Sequence, residues 1–329
     1  MNNFNADIAK PSQQQLNTLL KYYQTGQYID AEKLSLSITQ EFPEHQFAWK
    51  VLGTILQKTG RMNESLAVIQ KSIKLDPQDS EAHNNLGNIF NEIGNNLKAI
   101  SCYEKAIEIN TNYGDAYHNL ALSLHSLGKI QKAIIFYEKA IEVNPNNIKS
   151  YNNLGSLFQA LGKNQKAIGC FKKAITINPN SLASLNNLGI LYQVFNEYQK
   201  AANCFSKIIE IDSNYKGTYH YLGNMFKALG EIQKTITCYE KAIVVEPNNF
   251  KLSLSIINLF RTVKFSTFSL ATKKLFLLLF KKNNISHKDL FQNIMVSLIS
   301  NSNNSKLEKI INSKSLLLKN EIIQSLINE

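Results

Sequence analysis

The chain has 329 residues and carries 36 Lys+Arg against 25 Asp+Glu, a net charge of +11, with only 14 glycines and 4 cysteines. Its longest unbroken apolar run, Leu275 to Phe280, falls far short of the roughly 20 residues a membrane-spanning helix needs. The opening MNNFNADIAKPSQQQ has no apolar core of the signal-peptide kind. Composition therefore argues against a secreted or membrane-spanning protein and for a cytoplasmic one.

In chain order, residues 1–11 read as a disordered start. Residues 12–45 carry Gly26, Ala31 and Pro43 at the same spacing as the blocks that follow, but Thr18 and Leu19 stand where those blocks have Leu-Gly. This stretch is predicted to be a degenerate amino-terminal cap. From 46 to 249 a 34-residue period then recurs as 46–79, 80–113, 114–147, 148–181, 182–215 and 216–249. Block position 4 holds Trp49, His83, Tyr117, Tyr151, Leu185 and Tyr219, and position 7 is always leucine. Position 8 is Gly53, Gly87, Ala121, Gly155, Gly189 and Gly223, while positions 20 and 27 are mostly alanine. Within a block, apolar residues follow helical spacing in two runs, such as Leu120, Leu124 and Leu127, then Ile134, Tyr137 and Ile141. A glycine able to take the left-handed conformation separates the runs (Gly60, Gly94, Gly128, Gly162 or Gly230). Pro77, Pro145, Pro179 and Pro247 are predicted to close the second run. A unit this short cannot bury its apolar face alone, so the blocks must stack.

After the last block, Leu252, Ile256, Leu259, Phe260 and Val263 make one amphipathic stripe, predicted to be a capping helix over 250–265. Residues 266–329 are predicted to form a small helical appendage, with helical spacing at Leu290, Ile294 and Leu298 and an N-cap at Ser286. The charge sits at this end, because residues 250–329 hold 12 Lys/Arg and 4 Asp/Glu, which leaves 24 − 21 = +3 for the first 249. Such clustering can serve nucleic acid or an anionic membrane. Aromatic residues are sparsely interleaved with the basic ones here, and a solvated helix surface is the preferred reading.

The recurring slots at positions 4, 7, 8, 15, 20, 27 and 32 resemble the tetratricopeptide repeat family. The resemblance implies an all-α fold, a right-handed superhelical solenoid of antiparallel helix pairs. It further implies that the first helix of each pair lines a concave groove with block positions 2, 5, 6, 9, 12 and 13, and that the ligand is a protein or peptide.

Catalytic constellations are missing. There is no phosphate-binding GxxxxGK, no HExxH and no GxSxG. Eleven of the 14 glycines fall in slots 8 or 15 of the period, where packing and turns account for them. His118 and His125 lie seven apart, about 10 Å along one helix and too far for a shared metal. Cys102, Cys170, Cys204 and Cys238 all hold position 23, in units roughly 10 Å apart, beyond the reach of a disulfide. The expectation is a non-enzymatic chain with no cofactor and no metal.

One polar row remains unexplained by packing. Position 6 is Asn85, Asn119, Asn153 and Asn187 in four consecutive blocks, followed by Tyr221, and position 5 is Asn84, His118, Asn152, Asn186 and His220. The row is similar to the asparagine ladder in the repeat domain of O-GlcNAc transferases, which implies capture of an extended peptide by its backbone. A carboxamide suits that use because it offers a donor and an acceptor together. The alternative is that these asparagines bond between first helices and stiffen the array. On the groove reading, alanine at Asn119, Asn153 and Asn187 removes partners with little effect on stability. A clamp for terminal carboxylates is set aside, because positions 5 and 6 from Asn84 onward carry no Lys or Arg. The opening segment from Pro11 also resembles the front of bacterial proteins in which such an array precedes a methyl-, sulfo- or glycosyltransferase. That makes the competing expectation a substrate-recruiting half of a transferase, or a partner to one. The oligomeric state is not legible.

Overall fold

The computed structural model describes residues 10–262 and Leu275. The described residues form α1 (Gln13–Gln24), α2 (Tyr28–Glu41), α3 (Gln46–Lys58), α4 (Met62–Leu75), α5 (Ser80–Glu92), α6 (Asn96–Ile109), α7 (Gly114–Ser126) and α8 (Ile130–Val143). They continue with α9 (Ile148–Ala160), α10 (Asn164–Ile177), α11 (Leu182–Val194), α12 (Tyr198–Ile211), α13 (Thr218–Ala228), α14 (Ile232–Val245) and α15 (Phe250–Thr262). No strand occurs among them, so the fold is all-α as expected. The chain divides into two compact units, residues up to Cys170 and residues from Phe171, the division falling inside α10. In the first unit each odd-numbered helix from α1 to α7 pairs with the next, and α2, α4, α6 and α8 each pack on the helix that follows. In the second unit α11 pairs with α12 and α13 with α14, while α12 packs on α13 and α14 on α15. The expected disorder over residues 1–9, the end of the predicted capping helix and the 266–329 appendage lie outside the described residues, apart from the buried Leu275.

The pairing rests on one contact made in four of the blocks. There the bulky residue at position 24 of the second helix lies directly against the glycine at position 8 of the first. A Cβ added to Gly87 would sit 2.5 Å from Tyr103 Cε1, and one on Gly223 the same distance from Tyr239 Cε1. On Gly53 it would meet Ile69 at 2.5 Å, and on Gly189 it would meet Phe205 at 2.9 Å. Ile69, Tyr103, Tyr137, Phe205 and Tyr239 are all fully buried. Position 23 supports the same seam: Cys204 Cβ and Cys238 Cβ lie 3.3 Å from the Cβ positions of Gly189 and Gly223. The four cysteines are unbonded, and burial pushes each thiol up to about 11, which suppresses thiolate chemistry.

Turns between paired helices follow one geometry. The residue at position 15 takes positive φ, and the N–H of position 16 donates back to the carbonyl of position 11, as from Arg61 to Leu56 at 2.8 Å and from Lys163 to Phe158 at 2.8 Å. In the fifth block Asn196 fills this slot with φ 59°, so the turn survives without glycine.

The helix stop after each second helix differs from the expectation based on proline. Blocks with Thr111 or Ser213 in the proline slot end their helices in the same register, at Ile109 and Ile211. What recurs is an Asp or Asn at position 31 whose side-chain oxygen accepts the N–H two residues on. The pairs are Asp76–Gln78, Asn110–Asn112, Asn144–Asn146, Asn178–Asn180 and Asp212–Asn214, at 2.9 to 3.1 Å. This local side-chain bond offers the backbone an alternative to another helical turn.

Gly87→Ala should lower stability by about 1–3 kcal/mol, because the ring of Tyr103 has nowhere to go. Gly169→Ala, on an exposed helical face with nothing within 4 Å, should instead gain about 0.5–1 kcal/mol. Urea unfolding of the two variants checks this, and equal midpoints would remove the contact from its assigned role.

Candidate peptide-binding groove

Helical periodicity places positions 6, 9, 12 and 13 of successive first helices side by side, and in the first unit they enclose a polar recess of about 290 Å³. Thr54 and Gln57 of α3, Asn85, Asn88 and Asn91 of α5, and Asn119 of α7 line it, and the phenols of Tyr23 and Tyr103 reach it. The Tyr103 ring passes beneath Gly87 and its hydroxyl emerges to donate to Asn88 Oδ1 at 2.9 Å. A core side chain thus fixes a groove carboxamide.

Of the residues singled out in the sequence, Asn85 and Asn119 line the recess. Asn119 Nδ2 donates to Asn84 Oδ1 at 3.0 Å and to Asn88 Oδ1 at 3.1 Å, tying α7 to α5. Asn85 Nδ2 donates to Thr54 Oγ1 of α3 at 3.3 Å. Asn84 is buried beneath this row, 4% exposed. The stiffening role therefore exists, and alanine at Asn119 would loosen the seam rather than leave stability untouched. Bonding capacity nevertheless remains in the recess. Asn119 Oδ1 accepts no bond from the described residues, and the Nδ2 groups of Asn88 and Asn91 donate none. Two open donors and an open acceptor match the C=O and N–H of a peptide group.

The other singled-out residues are more dispersed. Asn153 Nδ2 donates to the Tyr137 hydroxyl at 3.2 Å, and Asn152 is half-buried beside it on α9. In the second unit Asn186 and Asn187 are half-buried on α11. Also in that unit, His220 Nε2 lies 2.8 Å from Ser255 Oγ, and Tyr221 stacks on Phe205 with ring centroids 5.4 Å apart. The sequence reading passed over Asn88, Asn91 and Gln57, although their positions 9 and 12 were legible from the same period.

Charge is buried at the start of the groove. Lys50, the position-5 residue of its block, is 9% exposed and its ammonium pairs with Asp79 at 2.9 Å and Glu81 at 2.6 Å. Burial opposes the ammonium, but the hydrogen bonds it donates to Glu81 and Asp79 outweigh that and hold its pKa above the usual lysine value. Burial likewise opposes the Asp79 carboxylate, yet bonds from Lys50, the Ala82 N–H and Gln46 keep its pKa below the ordinary range. Asp79 also caps α5 through the N–H groups of Glu81 and Ala82. These partners already satisfy the cation, so it is not free for a ligand.

His118 bridges α7 to α9, its Nδ1 2.8 Å from Ser150 Oγ and its ring 5.5 Å from that of Tyr137. Burial, and after it the charge of Lys149, holds the imidazole below its usual pKa against the weaker pull of Asp115. A histidine whose folded pKa is depressed contributes stability that is complete above its unfolded pKa of about 6.5 and is lost as pH falls through the folded value. The melting temperature should therefore drop as pH falls from about 7 toward 5, separately from any loss at Asp79, which needs about pH 4 or below. His118→Gln should flatten that slope, and an unchanged slope in a pH series of thermal melts would contradict the seam's role.

Among solved structures, the PilF protein of Pseudomonas aeruginosa is 16% identical over 64% of this chain and 96% of its own, with a TM-score of 0.57. A chain of the APC/C hetero-tetramer Cut9–Hcn1 is 20% identical over 73% of this chain and 48% of its own, TM-score 0.57. The C-terminal part of a TPR repeat-containing protein from Cytophaga hutchinsonii is 15% identical over 72% and 97%, TM-score 0.56. At these identities they establish the fold alone. No curated protein sequence matches the chain. Family models described as tetratricopeptide repeat match residues 48–79, 78–146, 115–180 and 148–214. They cover more than half of the sequence, and the chain belongs to the tetratricopeptide repeat family.

Proposed function

We propose that this chain is a protein-interaction scaffold whose first-helix groove holds an extended peptide segment by its backbone, without chemistry of its own. The observation that carries the reading is the recess between α3, α5 and α7, where the open amide atoms of Asn88, Asn91 and Asn119 face one cavity. An extended chain advances about 3.3–3.6 Å per residue, so first helices roughly 10 Å apart would meet every third peptide group. Each such bond nets only about 0.5–1.5 kcal/mol. Recognition of this kind is permissive and of roughly micromolar affinity.

The test is to select binders from displayed random peptides and compare wild type with Asn88→Asp/Asn91→Asp. The aspartates keep the acceptors used by the Tyr103 hydroxyl, the Asn119 amide and the Ser123 hydroxyl while removing both open donors. Affinity should fall about tenfold or more, from two lost bonds, with the melting temperature nearly unchanged. Selected peptides that bind as helices, or that bind the variant as well as wild type, would sink the reading.

A further inference from the structure

The second unit departs from the asparagine pattern at two positions of α13. This helix starts two residues late in its block because Gly217 takes φ +80° and its N–H is held by the carboxylate of Glu246. Position 6 is Tyr221 in place of asparagine, and its ring lies nearly parallel to Phe205, 14° between planes, and to His220, 20° at 6.0 Å. Position 12, the place of Gln57 and Asn91 in the first unit's recess, is Lys227. His220, Asn224 and Lys227 recur at i, i+4 and i+7, so they share one stripe of the helix.

Lys227 is half-buried, and burial alone moves its pKa, downward; no carboxylate among the described residues pairs with it. Lys50 and Lys200, by contrast, are raised by carboxylate partners. A desolvated ammonium without a counter-charge is costly to keep. Of the carboxylates in this region, Glu246 is engaged by the Gly217 N–H and by Asn249 Nδ2 at 3.0 Å, and Glu231 pairs with Lys234. Lys251, exposed at the start of α15, adds a second positive charge close enough to His220 to lower its pKa.

We propose that this face of α13 takes an acidic stretch of an extended protein partner, with a carboxylate seated at Lys227 and a nearby residue laid on the half-buried Tyr221 ring, which the buried Phe205 holds in place. The inference rests on the groove reading above and adds a side-chain preference to it.

Fluorescence anisotropy with labelled peptides of about twelve residues, alternating Pro-Asp, Pro-Ser or Pro-Lys, tests it, with an oligothymidylate of similar length as the competing polyanion. Wild type should prefer Pro-Asp over Pro-Ser by about fivefold, the worth of one partly buried ion pair, and the preference should shrink with added salt. Lys227→Met should abolish the preference, and Tyr221→Ala should weaken both peptides. Retained preference in Lys227→Met, tight binding of Pro-Lys, or oligothymidylate binding above every peptide would overturn the proposal. If Asn88→Asp/Asn91→Asp weakens all peptides while Lys227→Met changes nothing, the groove reading stands and this inference falls. If no peptide binds, both fall.

Discussion

In four blocks a large side chain at position 24 lies against a glycine at position 8, where the first helix has no side chain. The approach to Gly87 is so close that even a methyl group would overlap the Tyr103 ring. Since interiors pack near crystal density, that contact fixes the separation and rotation of the two helices. Fixing the rotation decides which positions of the first helix face its partner and which face the groove. The groove is in this sense a consequence of the glycine.

The same side chain links the core to the groove surface. Tyr103 and Tyr239 carry their hydroxyls through the core to Asn88 and Asn224. A buried hydroxyl without a partner is destabilising, and an asparagine carbonyl at position 9 removes that cost. The asparagine is then held in one orientation, its amide directed away from the tyrosine. The structural and the binding roles of such a row are therefore compatible. A carboxamide has two ends, and the array uses one while a ligand can use the other.

The two units handle polarity differently along their first helices. In the first unit, Lys50 is held between the carboxylates of Asp79 and Glu81, and the recess beyond them carries the carboxamides of Gln57, Asn85, Asn88, Asn91 and Asn119. In the second, the row gives way to stacked rings and an ammonium lacking a carboxylate partner. An amide row reads a backbone and tolerates many sequences, whereas a ring and a charge select side chains. On the proposed reading, one chain would combine a permissive stretch with a discriminating one.

Much of the fold was legible because a 34-residue period constrains every block at once. The helix pairs, the small residue at position 8 and the positive-φ turns at Gly60 or Gly128 all follow from residue types at fixed spacing. The helix stop was misassigned to proline, although Asp76, Asn110, Asn144, Asn178 and Asp212 stood in register as the more constant signal. For the candidate site, the period identified which helix face is polar, and so pointed to Asn85 and Asn119, which line the recess. It could not say how their amides are oriented, that Asn88 and Asn91 hold the open donors, or that Lys50 is paired while Lys227 is not. Those facts depend on partners about 30 residues away in sequence, brought within 3 Å only when neighbouring helices pack. Local spacing determines which side chains share a face; only tertiary contact decides which of their hydrogen bonds and charges are already satisfied.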